Sequence, residues 1–358
     1  MKKLFIAIVA IAAAAACSNV ETVSLNQEAI AFDNAFVNNS VRSVIDPSYS
    51  NTKLFSDFAV YGFVTGDNQV TAPIFDGTQV SGNAIDGVWS YTGTQYWING
   101  ADYTFHAVAP MTNGGWTKTE AGIDSVKLSF TNDGETDLLF ATNDYGVYSY
   151  NENQPVGKVG FNFRHVLSKV KFSFVNTYNA TNSFLRVSNI KIENAYATAN
   201  ATLNANTAWA GHAGTLELAF GNANTTQDDS AAVKFNTAVP EVESHNELLL
   251  IPGAVPSFEK DSVVVPGYKV TFTVEVLIGD AVIKTYNHVV AADFTPVAGY
   301  SYDLKAEISH KNLDPEQAQE AIEFTVNKVI DWDEDHDGKE NTADGDTDGD
   351  NQVDTVIP

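Results

Sequence analysis

The sequence predicts an all-β protein built from antiparallel β-sandwiches, and three observations carry that expectation. Apolar residues alternate with polar ones over short runs: Val126, Leu128 and Phe130; Val159, Phe161 and Phe163; Val170, Phe172 and Phe174; Val270, Phe272, Val274 and Val276. Successive side chains of a strand point to opposite faces, so a period of two marks strands with one face on a core. The runs are separated by turn residues, mainly Asn, Gly, Asp and Thr, as in sandwiches. Helical signals are sparse. The clearest is Asp314-Pro315-Glu316, an N-cap followed by proline at the first helical position, with room for about two turns before Ile322. No short-period repeat of the propeller or solenoid kind is present.

Taken in order, the chain opens with Met1-Lys2-Lys3, an unbroken apolar run from Leu4 to Ala16, and then Cys17. Basic residues before a short apolar run ending in small residues form the pattern of a secretory signal. The run is too short for a spanning helix, which needs about 20 residues. Ala14-Ala15-Ala16-Cys17 resembles a bacterial lipobox, in which leucine is preferred where Ala14 stands. Residues 1–16 are thus expected to be removed, and Cys17 to carry the lipid that anchors the protein in the outer membrane of a diderm bacterium. Cys17 is the single cysteine of the chain, so it has no disulfide partner within the chain in an oxidising compartment. The formal charge is −25 over 358 residues. So acidic a surface repels phosphate backbones, and nucleic acid is not an expected partner.

The strand-rich body is expected to divide at Asn151-Glu152-Asn153-Gln154-Pro155, a polar stretch, and to end at Trp332. Within it, Val270 to Val276 is followed by Gly279-Asp280 and a return from Val282 to Val289, a hairpin with a tight turn. Tyr302, Leu304 and Ile308 make a late strand.

Four segments follow in order: Leu54-Phe55-Ser56-Asp57-Phe58-Ala59-Val60-Tyr61-Gly62; then Trp89-Ser90-Tyr91 with Tyr96-Trp97 and Tyr103-Thr104-Phe105-His106-Ala107-Val108-Ala109-Pro110; then Asp137-Leu138-Leu139-Phe140-Ala141; then Phe163-Arg164-His165-Val166-Leu167-Ser168-Lys169-Val170. Together they resemble the fimbrillin family, the subunits of type V pili and their lipoprotein relatives. Trp89, Trp97, Tyr103 and Phe105 among them are expected to be core aromatics, and His165 to be packed or hydrogen-bonded rather than a ligand. The resemblance implies two tandem transthyretin-like β-sandwiches, residues 54–155 and 156–332, behind a lipidated N-terminal segment, 17–53. It also implies an assembly mechanism. A protease cuts behind a removable first strand, and a C-terminal strand of the next subunit fills the groove by strand addition, in which main-chain bonds give affinity and alternate side chains fill pockets. Ile30, Phe32 and Phe36 fit the removable strand, Arg42 the cleavage site, and Ile322, Phe324, Val326, Ile330 and Trp332, interrupted by Lys328, the donor strand. The expected partners are other subunits of the same type.

Residues 331–358 hold eleven carboxylates and one lysine. Asp333, Asp335, Asp337, Gly338 and Asp344 occupy positions 1, 3, 5, 6 and 12 of a calcium loop, with the carbonyl of Lys339 at position 7. Alternate carboxylates surround one ion there, and glycine permits the bend. Asp344 stands where an EF-hand has glutamate, which resembles dockerin loops. Asp346, Asp348, Asp350 and Asp354 follow, similar to a thrombospondin type 3 repeat. The tail is therefore expected to bind Ca2+; a solvated acidic segment without a specific ion is the other reading.

No Gly-x-Ser-x-Gly, His-Glu-x-x-His or phosphate-binding glycine loop occurs, so no catalytic constellation is assigned. The expected function is a surface fimbrial subunit or adhesin. A monomeric glycan-binding surface lipoprotein is the alternative, because exposed tryptophans and tyrosines stack on sugars.

Overall fold

Chain segments with period-two patterns become strands almost throughout. The computed structural model describes residues 28–37, 56–66, 70–83, 88–142, 147–152, 157–178, 180, 182–226, 230–313 and 321–331. The first part holds β1 (Phe32–Val37), β2 (Asp57–Thr65), β3 (Thr71–Asn83), β4 (Val88–Tyr91), β5 (Asp102–Ala109), β6 (Trp116–Ala121), β7 (Val126–Thr131), β8 (Leu139–Thr142) and β9 (Tyr148–Ser149). Next come β10 (Val159–His165), β11 (Ser168–Asn176), β12 (Ser183–Ala195), β13 (Thr198–Leu203), β14 (Ala208–Ala213), β15 (Leu216–Gly221), β16 (Ala223–Asn224), β17 (Glu241–Ser244) and β18 (Leu248–Leu250). The chain finishes with β19 (Ser257–Lys260), β20 (Val263–Pro266), β21 (Tyr268–Ile278), β22 (Ala281–Ala292), β23 (Tyr300–Ile308), the short helix α1 (His310–Leu313) and β24 (Phe324–Asp331). The helix expected from Asp314 falls on residues 314–320, outside the described residues.

An eight-stranded sheet runs β1-β10-β8-β5-β2-β3-β4, with β9 beside β5. Its central strand β2 is buried on both faces, which is why β2 reads Phe-Ala-Val-Tyr-Gly-Phe-Val without polar interruption. Phe58, Val60, Phe105 and Phe161 face one core. Ala59, Tyr61, Phe63 and Phe140 face a second, closed by Leu128 and Phe130 of β7 and Ala201 and Leu203 of β13. β7 and β13 belong to the sheet β14-β13-β7-β6. A third core fills the sandwich between β16-β17-β11-β23-β24 and β15-β12-β21-β22, where Phe172 meets Phe220 edge-on and Phe174 meets Phe272.

Two features are non-local. β1 pairs with β10, and β11 with β23, in parallel; parallel strands need long connections rather than hairpins, so no local turn signals them. The hydrogen-bonded sheets also cross residue 155: β10 joins the first sheet, and β13 pairs with β7. The predicted Gly279-Asp280 hairpin forms as read, with β21 and β22 in register through Ile278 and Ala281. Among the described residues no helix is long and apolar enough to cross a membrane.

Candidate functional site

The segment from Glu28 to Val37 lies in a slot at the edge of the first sheet, residues 28–30 bonded on one side to residues 95–97 and residues 31–37 on the other to β10. On one side the amide of Trp97 donates to the Glu28 carbonyl (3.0 Å), and the Ile30 amide donates to the Gln95 carbonyl (2.9 Å). On the other, the Val159 amide donates to the Ala31 carbonyl (2.8 Å), after which β1 runs along β10 from Phe32 opposite Val159 to Val37 opposite Phe163. Asn34 is an extra residue in that ladder.

Alternation puts Ile30 and Phe32 inside, 1% and 2% exposed. Phe32 lies among five rings: edge-on to Phe58, Phe75, Tyr91 and Phe105, and stacked on Phe161, with centroids 5.5–6.4 Å away. Burying a phenylalanine this completely stabilises by about 1.5–3 kcal/mol, and each favourable ring pair adds about 0.5–1.5 kcal/mol. Gly62 is part of the same pocket: a Cβ there would lie 2.7 Å from the Phe75 ring.

Tyr91 closes the slot. Its hydroxyl donates to the Ile30 carbonyl (2.7 Å) and accepts from the Gln95 amide (3.1 Å). Burial raises the pKa of this phenol, tempered by the Gln95 bond. The 95–98 wall is fixed in turn by Trp97, stacked on Tyr150 and edge-on to Tyr103, whose hydroxyl accepts from the Ile98 amide (2.6 Å). Burial pushes the Tyr103 phenol up to about 12, so both hydroxyls stay protonated at neutral pH. The slot is thus a preformed hydrophobic pocket lined on both edges by backbone groups. In this chain it holds the extended segment Glu28–Phe32.

At the other end of the chain, β24 is the edge strand of its sheet, paired antiparallel with β23, Phe324 opposite Ala306 and Val326 opposite Leu304. Ile322 is buried, and Phe324 and Val326 are half-buried against the third core. Phe324 lies near Phe172, Phe272 and Phe174 (5.3, 6.0 and 6.3 Å). The interruption at Lys328 is filled by a cation–π contact, its Nζ over the Tyr300 ring. A bulge then places Ile330 opposite Ser301.

Cys17, Arg42, Trp332 and the tail carboxylates Asp333, Asp335, Asp337, Asp344, Asp346, Asp348, Asp350 and Asp354, with Lys339, lie outside the described residues. His165 is hydrogen-bonded as read, Nδ1 to Asp137 Oδ2 at 2.5 Å. Of the described tryptophans, Trp89 and Trp97 are buried, and Trp116 and Trp209 are half-buried with their indole N–H groups on the Pro110 and Val166 carbonyls. Sequence reading missed Tyr91 as the clamp and β10 as the neighbour of the first strand. Neither has a local signal, since both act on a segment from a distant part of the chain.

The sequence matches the fimbrillin-like family over residues 50–332. No curated protein matches it. Among solved structures, it is similar to a candidate cell adhesion protein from Bacteroides ovatus (15% identity, covering 86% of this chain and 98% of that one, TM-score 0.44). Another, from Bacteroides uniformis, shares 14% identity over 85% of this chain and 99% of that one (TM-score 0.43). The fimbrial anchor protein Mfa2 from Porphyromonas gingivalis shares 13% over 85% and 99% (TM-score 0.36). With the family match spanning most of its length, the chain belongs to the fimbrillin-like family.

Proposed function

We propose that the protein is a surface-exposed fimbrial subunit or fimbrillin-like adhesin that assembles with subunits of its own type by donor-strand exchange. The observation that carries this reading is the slot: residues 28–30 bond to residues 95–97 and residues 31–37 to β10 through the backbone, with Phe32 as the plug. In this reading Cys17 carries the lipid anchor to the outer membrane, cleavage at Arg42 frees the first strand, and β24 with Trp332 supplies the donor. The vacated slot is an open sheet edge over an apolar pocket, and such an edge requires a partner strand. The tail from Asp333 to Asp354 binds Ca2+ and stiffens the exit from β24; calorimetric titration of the full chain should give a saturable calcium signal, and a flat titration removes that part.

The test of assembly is N-terminal sequencing of subunits in filaments sheared from cells. A start at Ser43 is expected. A lipidated Cys17 on a protein that stays monomeric overturns exchange.

A further inference from the structure

We propose that the slot is read by an Ile-x-Phe key that the chain carries twice, so that its partner is a second copy of this chain, entering with Ile322 at the Ile30 position and Phe324 at the Phe32 position. This rests on the exchange reading above and adds the residues that are read and the register they set. Gln27-Glu28-Ala29-Ile30-Ala31-Phe32 recurs as Gln319-Glu320-Ala321-Ile322-Glu323-Phe324, identical at every position but one. Both copies lead into a docked strand, one in the first sheet and one at the edge of the last.

What the slot contacts is what the two copies share. Its main-chain bonds go to residues 28, 30 and 31, which any sequence except proline can make. Its side-chain pockets take Ile30 and Phe32, and the C-terminal copy presents the same two side chains at the same spacing. The differing position is Ala31, which is only half-buried, so the Glu323 side chain has solvent within reach there. Glu323 is exposed where it now stands.

The direction of exchange also follows. In β24 the pair is less well buried, with Ile322 5% exposed and Phe324 half-buried, and its strand is bonded on one side only, to β23. In the slot the equivalent residues are 1% and 2% exposed, with residues 28 and 30 bonded to residues 95–97 and residues 31–37 to β10. The key therefore gains burial, and main-chain bonds to residue 95 at the Ile30 position, by moving into a vacated slot. While the first strand remains, the slot is closed to it.

The test uses the full chain nicked by trypsin behind the first strand, at Arg42 or Lys53, and fluorescence anisotropy of a labelled peptide of residues 27–37. An unlabelled peptide of residues 319–329 should displace the label within about tenfold of the concentration that unlabelled 27–37 requires. The same peptide with Phe324→Ala should be at least about thirtyfold weaker, since the plug is lost. Tyr91→Phe in the protein removes the hydroxyl that binds the carbonyl of residue 30 or 322, and should weaken both peptides by a similar factor of about three to ten. Binding of 27–37 without displacement by 319–329 overturns the shared key. So does displacement that ignores Phe324→Ala, or binding of 319–329 that ignores Tyr91→Phe, which would place it on another edge. If labelled 27–37 does not bind the nicked chain at all, strand exchange itself fails.

Discussion

Phe32 and His288 show how single side chains decide stability here. Phe32 touches five rings that would otherwise face one another across a void. A truncation to alanine removes the transfer energy and leaves a cavity whose rings are held by separate strands. Phe32→Ala should therefore cost about 3–5 kcal/mol, read as a lower urea midpoint of the intact chain. His288 is stacked on Phe272 (5.2 Å), and its Nε2 is buried without a hydrogen-bond partner. Burial lowers its pKa below 6.5, and burial likewise lowers that of His106, whose Nε2 bonds the Ile123 carbonyl. Below about pH 6.5 the unfolded chain takes up protons on these imidazoles that the folded chain refuses, so folded stability falls as pH drops from there towards the depressed folded values. Denaturation midpoints at pH 7.5 and 5.5 should show the loss, and His288→Phe should reduce it while leaving the pH 7.5 midpoint nearly unchanged. An unchanged slope in that variant would remove His288 from the account.

At the scale of elements, hairpins were legible in the sequence and long-range pairings were not. The β21–β22 hairpin was readable because period-two patterns flank Gly279-Asp280, and Gly279 indeed has φ +60°. A Cβ at Gly279 would meet nothing within 4 Å, whereas one at Gly62 would sit 2.7 Å from the Phe75 ring. The two glycines are thus required for different reasons, backbone conformation and close approach. Gly279→Ala should cost about 1–2 kcal/mol from backbone strain alone. Gly62→Ala should cost more and should shift the aromatic near-ultraviolet circular dichroism, because a ring must move. Equal effects with unchanged spectra would contradict this division. The last strand, with Phe324 and Val326 and with Ile322 just ahead of it, was readable from their shared parity. The slot of the first strand was not, because its two walls, β10 and residues 95–97, come from segments with no common local pattern. The polar stretch at 151–155 read as a boundary because local composition changes there. Sheet membership instead follows from which apolar face β10 must cover, and that face belongs to strands before the stretch.

For the whole molecule, net charge sets how readily copies meet. Each chain carries a formal −25, and the expected loss of Lys2 and Lys3 with a signal segment would deepen it to −27. Two such copies repel at distances beyond contact, while in the proposed exchange the slot would bind by main-chain bonds and apolar burial that salt leaves largely intact. Repulsion between exposed charges is screened over about 10 Å at 0.1 M salt and over longer distances when salt is lower. Assembly of the nicked chain should therefore accelerate several-fold between about 20 mM and about 300 mM NaCl, with chelator present to keep calcium out of the comparison. The disassembly rate of preformed filaments should change much less, because it reports the docked strand rather than the encounter. Light scattering after nicking measures the first and dilution of filaments the second. Assembly that slows with salt would mean that opposite charges on two surfaces draw the copies together, and the tail carboxylates would then be the first group to neutralise in seeking the cause.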